Sequence, residues 1–483
     1  MRSCHPVEVV RAAEAPLLAS LPEGTLMRRA AYGLARIVAT ELRERTGGLV
    51  GRRVSLLVGS GDNGGDALWA GAFLRRRGVD VTALLLEPDR AHPAGVRALR
   101  RAGGRVVPAT RDHLGDPDLV LDGIVGISGR GPLRPLAADL VEAISAPIVA
   151  VDTPSGVDPD TGAIDGPAVT AAVTVTFGAY KPVHALAPAS CGRVELVDIG
   201  LVLPEARLVA AEPAEIGAIW PVPGADDDKY SQGVVGIRAG SARYPGAGVL
   251  CTGAAVAATS GMVRYIGSGA PEVLARFPEV VTSASVAETG RVQAWVVGPG
   301  AGTDDVACAT LRDILATDLP VLVDADGLTL VAREPGLVQG RSAPTLLTPH
   351  AGEFARLTGR RPEPDRAAAV RALAADWGVH VLLKGRATLV ARPDGYVFVN
   401  DAGGSWASTA GAGDVLAGII GSLLSSGMPV DLAAAAGARA HALAANLAAH
   451  GSTSPAAAPV SASGILSHIG DAIRLLRTHI AGS

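Results

Sequence analysis

The chain has 483 residues, a length that corresponds to two or three domains. Its 43 Lys and Arg residues and 47 Asp and Glu residues give a formal net charge of −4, without the basic excess that nucleic acid or an anionic membrane attracts. Hydrophobic residues make up 48% and charged residues 19%, which excludes a disordered chain. We therefore expect two folded domains and small-molecule ligands, with neither nucleic acid nor a membrane as a partner.

The four cysteines and the apolar segments bear on the cellular location. Cys4, Cys191, Cys251 and Cys308 lie far apart, so their spacing favours neither a zinc site nor a disulfide framework. The N-terminus brings acidic residues early and does not resemble a signal peptide. The longest apolar stretches, such as 415–424, are shorter than the roughly 20 residues that a bilayer requires. We expect a cytoplasmic protein with reduced thiols.

In the first half of the chain, Val-, Ile- and Leu-rich runs alternate with amphipathic segments. Near-continuous apolar strands separated by helices indicate a parallel sheet that is covered on both faces. The sequence therefore predicts an α/β domain. Its strands are predicted at 54–59, 79–86, 118–126, 147–152, 173–181 and 194–200.

The pattern lapses at 203–233, where prolines and the acidic triplet Asp226–Asp228 occur. This change predicts domains at 1–210 and 229–483, with a linker at 211–228. A second α/β series follows, which includes a hairpin with Asp394 and Gly395 in its turn. Its strands and helices are predicted at 234–241, 247–261, 292–300, about 304–317, 321–327, 345–350, 381–385, 389–400 and 415–424.

Polar loops follow three strands of the first half. GSGDNGGD at 59–66 lies between a strand and a helix, where free backbone N–H groups and glycines favour an anionic ligand; a tight turn with capping residues is the alternative. Asn63, Asp122 and Ser155 follow different strands, whose ends meet at one edge of a parallel sheet. Their oxygens suit one hard cation, with Asp152 beside it, although each residue alone is also a common turn residue.

The second half carries its chemistry in three loops. STAGAGDVLAGIIGSLL at 408–424 runs small residues into Asp414 and an apolar helix, which suits phosphoryl transfer with Asp414 as the base. The alternative is a first-turn acid that stabilises the helix dipole. Lys384 and Gly385 at a strand end suit nucleotide phosphates, and His350 in LTPHAGEFARLTG is placed to orient a substrate. A solvated lysine and a structural histidine remain the alternatives.

The motifs of the first half together resemble the NAD(P)H-hydrate epimerase domain. They are VEVVRAAEA, GSGDNGGDALWAGAFL, LDGIVGISGRGPLRP and VDTPSGVDPDTG, and they cover most of residues 1–205. The resemblance implies a Rossmann-like three-layer domain that interconverts R and S hydrates of NADH and NADPH with potassium. It implies Asn63, Asp122 and Ser155 as potassium ligands, Asp152 as a catalytic residue, and substrate contacts at Asp62, Asn63, Gly64, Gly65, Asp66, Gly126, Ile127, Ser128, Gly129, Arg130, Gly131 and Pro132. Asp62 and Ala67 depart from the family's NNGGDG.

Six ordered motifs of the second half resemble ADP-dependent NAD(P)H-hydrate dehydratase, over nearly all of 222–483. They are KYSQGVVGIRAGSARYPGAGVL, VVGPGAG, VLVDADGL, LTPHAGEFARLTG, LLKGRATLV and STAGAGDVLAGIIGSLLSSG. The resemblance implies a ribokinase-like α/β fold in which Asp414 is the catalytic base. It implies hydrate contacts at Ala247, Gly302 and His350, and nucleotide contacts at Lys384, Gly385, Arg386, Ala387, Thr388 and Gly413. AGAGD and KGRAT depart from the family's GGTGD and KGAGT.

The two resemblances imply a bifunctional repair enzyme for the hydrates NADHX and NADPHX. Asp414 would deprotonate the ring hydroxyl of the hydrate and ADP would phosphorylate it, after which phosphate would leave to restore the double bond. AMP and phosphate would be the coproducts, and we expect magnesium with the nucleotide and a homo-oligomer. Two other functions fit the same motifs: a ribokinase-like kinase for a vitamin or sugar fused to a nucleotide-binding domain, and a nucleotide sensor that has lost catalysis.

Overall fold

A computed structural model describes residues 1–259, 261–451 and 456–478. The chain divides into two compact units. The N-terminal unit is Ser3–Arg207, and the C-terminal unit combines Met1–Arg2 with the chain from Leu208 onward. The predicted linker at 211–228 contains a helix, Pro213–Ile219, which clusters with the C-terminal unit. Glu212 and Glu215 form a capping box there, so backbone N–H groups at the start of this helix have hydrogen-bond partners although the segment is rich in proline.

The N-terminal unit alternates strands and helices as its sequence predicts. The elements up to its end are β1 Arg2–Cys4, α1 Val7–Ser20, α2 Thr25–Thr46, β2 Arg53–Val58, α3 Asp62–Arg75, β3 Asp80–Leu85, a 3-10 turn Pro88–Arg90, α4 Pro93–Arg101, β4 Arg105–Pro108, α5 Arg111–Leu114, β5 Leu119–Gly123, α6 Pro135–Glu142, β6 Ile148–Val151, β7 Val173–Phe177, α7 Pro182–Leu186, α8 Pro188–Cys191 and β8 Arg193–Val197.

Seven of these strands form one parallel sheet in the order β4-β3-β2-β5-β6-β7-β8. Both faces of the sheet are buried: Leu56 and Val58 belong to one hydrophobic cluster, and Leu57 between them belongs to another. The chain reverses direction across the sheet between β2 and β5. This is the switch point at which open α/β sheets bind ligands.

The C-terminal unit is built from a second, larger series. Its elements are β9 Leu208–Ala210, α9 Pro213–Ile219, β10 Val234–Arg238, α10 Pro245–Ala258, β11 Met262–Ile266, α11 Ala270–Arg276, β12 Val281–Ser283, β13 Ala294–Val297, α12 Asp305–Leu315, β14 Val321–Val323, α13 Asp326–Arg333, a 3-10 turn Pro335–Leu337, β15 Thr345–Leu347, α14 Ala351–Thr358, α15 Arg366–Trp377, β16 His380–Leu383, β17 Ala387–Ala391, β18 Val397–Asp401, α16 Ala412–Ser425, α17 Val430–His450, α18 Ala462–Ser467 and α19 Ile469–Thr478.

The sheet of this unit has 11 strands in the order β1-β9-β18-β17-β16-β15-β14-β13-β10-β11-β12. Strands β10 to β16 pair in parallel, whereas β17 and β18 form the predicted antiparallel hairpin. The carboxyl ends of β13, β14, β15 and β16 therefore lie at one edge. Across the described ranges, we find no helix that combines the length and the apolar character needed to cross a bilayer.

Two candidate active sites

The three predicted cation ligands converge at the switch point of the N-terminal sheet. Asp122 ends β5, beside β2, and both of its carboxylate oxygens are used: Oδ1 accepts from the Ser155 hydroxyl at 2.7 Å, and Oδ2 accepts from the Ser155 N–H at 2.8 Å. Asn63 lies in the first turn of α3, which follows β2. A Cβ atom built on Gly126 would lie 2.8 Å from the Asn63 Oδ1, so this glycine leaves room for the amide.

The chemistry of this donor set fits a monovalent hard cation. Asp122 is fully buried, and burial raises the pKa of its carboxyl to about 6, although hydrogen bonds from Ser155 and Ile124 lower it. The Asn63 Nδ2 atom is buried and has no hydrogen-bond partner among the described residues. A cation beside Asp122 would favour the charged carboxylate, and the side chains of Asn63 and Ser155 supply neutral oxygens.

Asp152 is held at the end of β6 in a buried ion pair. Its backbone has φ 66°, a left-handed conformation that Asp tolerates better than most residues. Its Oδ1 accepts from the Lys181 Nζ at 2.5 Å and from the Thr176 hydroxyl at 3.0 Å. His184 accepts the Lys181 backbone N–H at its Nδ1, so in the neutral ring its Nε2 donates to the Asp152 carbonyl at 2.9 Å. Lys181 was not predicted from the sequence.

A cavity of about 550 Å³ is lined by acidic residues at the start of α3. Asp62, Asp66 and Glu14 line it, together with apolar side chains that include Phe177. Burial is the main reason that the pKa of Asp66 is well above its usual range and that the pKa of Glu14 is raised. Asp152 adds to both effects. The burial of both carboxyl groups therefore favours their protonated form over the ionised form.

Residues 128–132 of the predicted loop line a second cavity, of about 340 Å³, whereas Gly126 and Ile127 are not part of its lining. Gly59 and Ser60 from the end of β2 lie on its wall, which brings the first glycine-rich loop and this loop together. The Arg130 guanidinium donates to Asp160 at 3.2 Å and lies 3.5 Å from the Asp158 carboxylate. Arg130 therefore pairs with acidic residues of the loop that follows β6.

In the C-terminal unit, charged residues follow two strands of the parallel sheet, on either side of β15. Asp324 follows β14 and Lys384 follows β16, and the Lys384 Nζ donates to the Asp324 Oδ1 at 2.6 Å. Between Asp324 and Asp326, Ala325 has φ 50°, which is a strained conformation for alanine. Asp326 accepts the Gly302 N–H at 2.9 Å. The strained residue thus separates two carboxylates that hold different partners.

Asp414 lies in the first turn of α16, beside this network. The helix begins after Gly411, whose φ of 87° favours glycine. The pKa of Asp414 is raised to about 7 by burial and then by the charges of Asp324 and Asp326, against the opposing effect of the Lys384 ammonium. A carboxyl group with this pKa changes protonation at neutral pH, as a general base requires. A first-turn acid that only stabilises the helix dipole does not require burial beside two carboxylates and an ammonium group.

A cavity of about 270 Å³ extends from this network. Five of the six predicted nucleotide residues line it, with Arg386 at the exposed rim, and so do His350 and the unpredicted His441. A Cβ atom on Gly413 would lie 3.3 Å from the Lys384 Nζ, so glycine keeps the space beside the ammonium open. The predicted residues on its wall are His350, Lys384, Gly385, Arg386, Thr388 and Gly413.

The other predicted residues of this unit take different positions. The Ala387 side chain is buried in β17, and its carbonyl accepts from the Arg366 guanidinium at 3.0 Å. Ala247 on α10 lies against the Gly300 position, where an added Cβ would be 2.7 Å from the Ala247 Cβ. Gly302 reaches the catalytic network through Asp326, whose charge raises the pKa of Asp414.

His350 caps a helix and also lies on the cavity wall. Its Nδ1 accepts the N–H groups of Gly352 at 2.9 Å and Glu353 at 3.3 Å, and so it caps α14. The neutral ring therefore carries its proton on Nε2. Because the residue also lines the cavity and is largely exposed, this N–H is available to a ligand.

Comparison with known proteins agrees with this division into two sites. A family model described as NAD(P)H-hydrate dehydratase matches residues 235–467, and a model described as YjeF-related protein N-terminus matches residues 23–183. The bifunctional NAD(P)H-hydrate repair enzyme of Mycobacterium leprae is 59% identical over 479 residues, which are 99% of this chain and 100% of that protein. The chain belongs to the family of bifunctional NAD(P)H-hydrate repair enzymes. The predicted family is thereby confirmed.

Solved structures give the fold of the dehydratase half of this repair enzyme. A ribokinase-like superfamily protein from Enterococcus faecalis covers 57% of this chain and 98% of its own, with 23% identity and a TM-score of 0.50. This match confirms the ribokinase-like fold. An ADP/ATP-dependent NAD(P)H-hydrate dehydratase from Bacillus subtilis, co-crystallised with ATP and Mg²⁺, covers 56% of this chain and 97% of its own, with 24% identity and a TM-score of 0.48.

Sequence reasoning missed residues whose partners lie far away in the chain. Asp324 and Asp326 belong to the quoted motif VLVDADGL, and their position after a strand is a signal that was available. Lys181 likewise follows β7, in GAYK. His441 lies in the Ala-rich stretch 432–449, for which core packing is a sufficient account from the sequence alone.

Proposed function

We propose that the repair enzyme divides its work between the two units. The N-terminal unit epimerises the R and S hydrates of NADH and NADPH, and the C-terminal unit dehydrates the S form with ADP. The observation that carries the proposal is the half-buried Asp414, whose carboxyl has a pKa of about 7 beside the Lys384–Asp324 pair and the cavity. An ordinary capping acid is exposed to solvent and has no such surroundings.

For dehydration, Asp414 accepts the proton of the ring hydroxyl as that oxygen attacks the terminal phosphorus of ADP. The bond to the bridging oxygen breaks, and AMP leaves with its electron pair. Phosphate then leaves the ring carbon with the C–O electron pair, and the adjacent ring carbon loses a proton to form the double bond. The N–H groups at the start of α16 and the Lys384 ammonium stabilise charge on the phosphate oxygens.

Magnesium is proposed as the companion of the nucleotide. When bound, it would neutralise the phosphate oxygens, with carboxylates at this sheet edge as further oxygen ligands. The described residues hold no group of three His, Cys, Asp or Glu side chains arranged to bind a metal on their own. This fits a cation that is bound chiefly through the nucleotide phosphates.

For epimerisation, the substrate would occupy the cavities on either side of the start of α3. The loop 126–132 would hold its polar groups, and Asp152 would act beside the reacting ring. Potassium would be held by Asn63, Asp122 and Ser155, where it would position polar groups of the substrate. The buried carboxylate of Asp122, whose pKa is raised to about 6, and the neutral side-chain oxygens of Asn63 and Ser155 support this assignment. A homo-oligomeric state also remains a prediction.

The products of the reaction test the proposal. The enzyme is incubated with S-NADHX, ADP and magnesium, and NADH absorbance, AMP and phosphate are measured together. We expect equal amounts of NADH, AMP and phosphate, and no NADH with Asp414→Asn. A stable phosphorylated product without NADH would favour the kinase alternative, and ADP binding without turnover would favour the sensor alternative.

A further inference from the structure

One buried histidine lies on the wall of the cavity in the C-terminal unit and was not predicted as a site residue. His441 lies on α17 and lines the cavity with Leu416, Ala438 and Ala442. Its side chain is 8% exposed, and its Nε2 has no hydrogen-bond partner among the described residues. A buried polar atom without a partner costs stability unless a ligand or water satisfies it.

The protonation of the ring follows from its other contact. The backbone of Ala412, at the start of α16, raises the pKa of His441, as a carbonyl that accepts from the ring does. The Ala412 N–H already donates to the Thr409 carbonyl at 3.2 Å, so the group that His441 meets is the Ala412 carbonyl. A carbonyl needs a donor, and Nε2 has no partner, so Nδ1 carries the proton. The Nε2 atom of the neutral ring is therefore a hydrogen-bond acceptor.

The Nε2 atom of His441 is also an acceptor at physiological pH, because the ring is neutral there. The pKa of His441 is lowered to about 4, mainly by burial and in part by the nearby Lys384 ammonium, whereas the backbone of Ala412 raises it. The ring is thus neutral at pH 7. Phosphate oxygens are themselves acceptors, so they do not satisfy this atom. The nucleoside part of ADP has donors: the amino group of adenine and the hydroxyls of ribose.

We propose that His441 is a specificity residue for the nucleotide, whose Nε2 accepts a hydrogen bond from the nucleoside part of ADP. The inference rests on the proposed function, since it assigns the cavity to ADP. The apolar side chains of Leu416, Ala438 and Ala442 provide surroundings that suit a base or sugar better than phosphates. His441 is not placed in the chemical step itself.

Direct binding of ADP, measured by calorimetry without a hydrate, tests this role. His441→Leu should weaken ADP binding on the order of tenfold, because the variant removes a buried acceptor. His441→Gln, which keeps an acceptor at a similar reach, should recover most of the affinity. His380→Leu is the matched control, since His380 begins β16 and lies outside the cavity lining. It should leave ADP binding unchanged.

Nucleotide analogues identify the donor. Purine riboside diphosphate lacks the amino group, and 2′-deoxy-ADP and 3′-deoxy-ADP each lack one hydroxyl. The wild-type protein should reject one of these analogues relative to ADP, and His441→Leu should lose that discrimination. Equal discrimination in the wild-type protein and His441→Leu would overturn the proposal. Should His441→Leu fail to fold, equal binding of ADP and all three analogues by the wild-type protein would overturn it.

Binding and turnover separate this inference from the function on which it rests. ADP binding that depends on His441, without NADH recovery, would contradict the proposed dehydration and leave the role of His441 standing. NADH recovery together with an ADP affinity that is the same in the wild type and His441→Leu would contradict only the role of His441.

Discussion

The dehydratase should depend on pH through Asp414, and the structure sets the range. With a carboxyl pKa of about 7, about half of Asp414 is ionised at pH 7 and about a tenth at pH 6. If the ionised carboxylate is the base, log(kcat/KM) should fall with a slope near one below pH 7 and level off above pH 8. An aspartate with its ordinary pKa would give no such loss between pH 6 and pH 8.

Removing a neighbouring charge should move this profile in a known direction. Asp324→Asn removes a carboxylate that raises the pKa of Asp414 and releases the Lys384 ammonium, which lowers it. The fall in rate should therefore move to lower pH, by on the order of one unit. The assay follows NADH absorbance from S-NADHX with saturating ADP between pH 5.5 and pH 8.5.

Two controls make the result interpretable. Asp313→Asn removes an exposed carboxylate on α12 and should leave the profile unchanged. Thermal unfolding of Asp324→Asn confirms that the variant is folded. A flat wild-type profile between pH 6 and pH 8, or an Asp324→Asn profile that coincides with the wild type, would refute the assignment of Asp414 as the titrating base.

Three further predictions concern the other charged residues. The pKa of Asp122 is raised to about 6 in the folded state, so its full contribution to the free energy of unfolding is present at low pH, and about 3 kcal/mol of it is lost as pH rises through 6. Potassium chloride should therefore raise Tm at pH 7.5, where the carboxylate is ionised, but not at pH 5. Asp152→Asn should abolish epimerisation and cost about 3–5 kcal/mol of stability, because it leaves buried Lys181 unpaired; adding Lys181→Met should restore most of the stability. Arg386→Ala should raise the KM for ADP a few-fold with kcat unchanged, since the guanidinium lies at the exposed rim, 3.6 Å from Asp401.

The predictions for potassium, Asp152 and Arg386 are each contradicted by a different result. Choline chloride at equal ionic strength controls for salt, and an equal rise in Tm with both salts, or with Asp122→Asn, would argue against a potassium site. An Asp152→Asn variant that keeps epimerase activity would remove Asp152 from the chemistry. A large fall in kcat for Arg386→Ala would show that Arg386 acts on the reacting phosphate and not only on nucleotide binding.

Local patterns predicted the framework of both sites. Asp414 was recognisable because small residues precede it and an apolar helix follows, and Lys384 because it ends an apolar strand. Asn63 and Asp122 were placed together because the ends of parallel strands share an edge. These inferences need only sequence neighbours and the geometry of a parallel sheet.

The remainder depends on contacts between distant residues. The pairing of Lys384 with Asp324 crosses 60 residues, and no local pattern specifies it. His441 resembles a core residue of an Ala-rich helix, and only the packing of α17 beside α16 places it on the cavity wall, with an Nε2 that has no partner among the described residues. Arg130 illustrates the same point, because its partners Asp158 and Asp160 lie in another loop, which no local pattern specifies.

The most direct test of the account uses the two hydrates separately. The full-length protein, Asp414→Asn and Asp152→Asn are each given R-NADHX or S-NADHX with ADP, magnesium and potassium, and NADH recovery is followed with chromatography of both epimers. We expect the wild type to convert both hydrates, Asp152→Asn to convert only S-NADHX beyond the spontaneous rate, and Asp414→Asn to exchange R and S without forming NADH. Loss of both activities in folded Asp414→Asn would contradict the assignment of the two reactions to separate units.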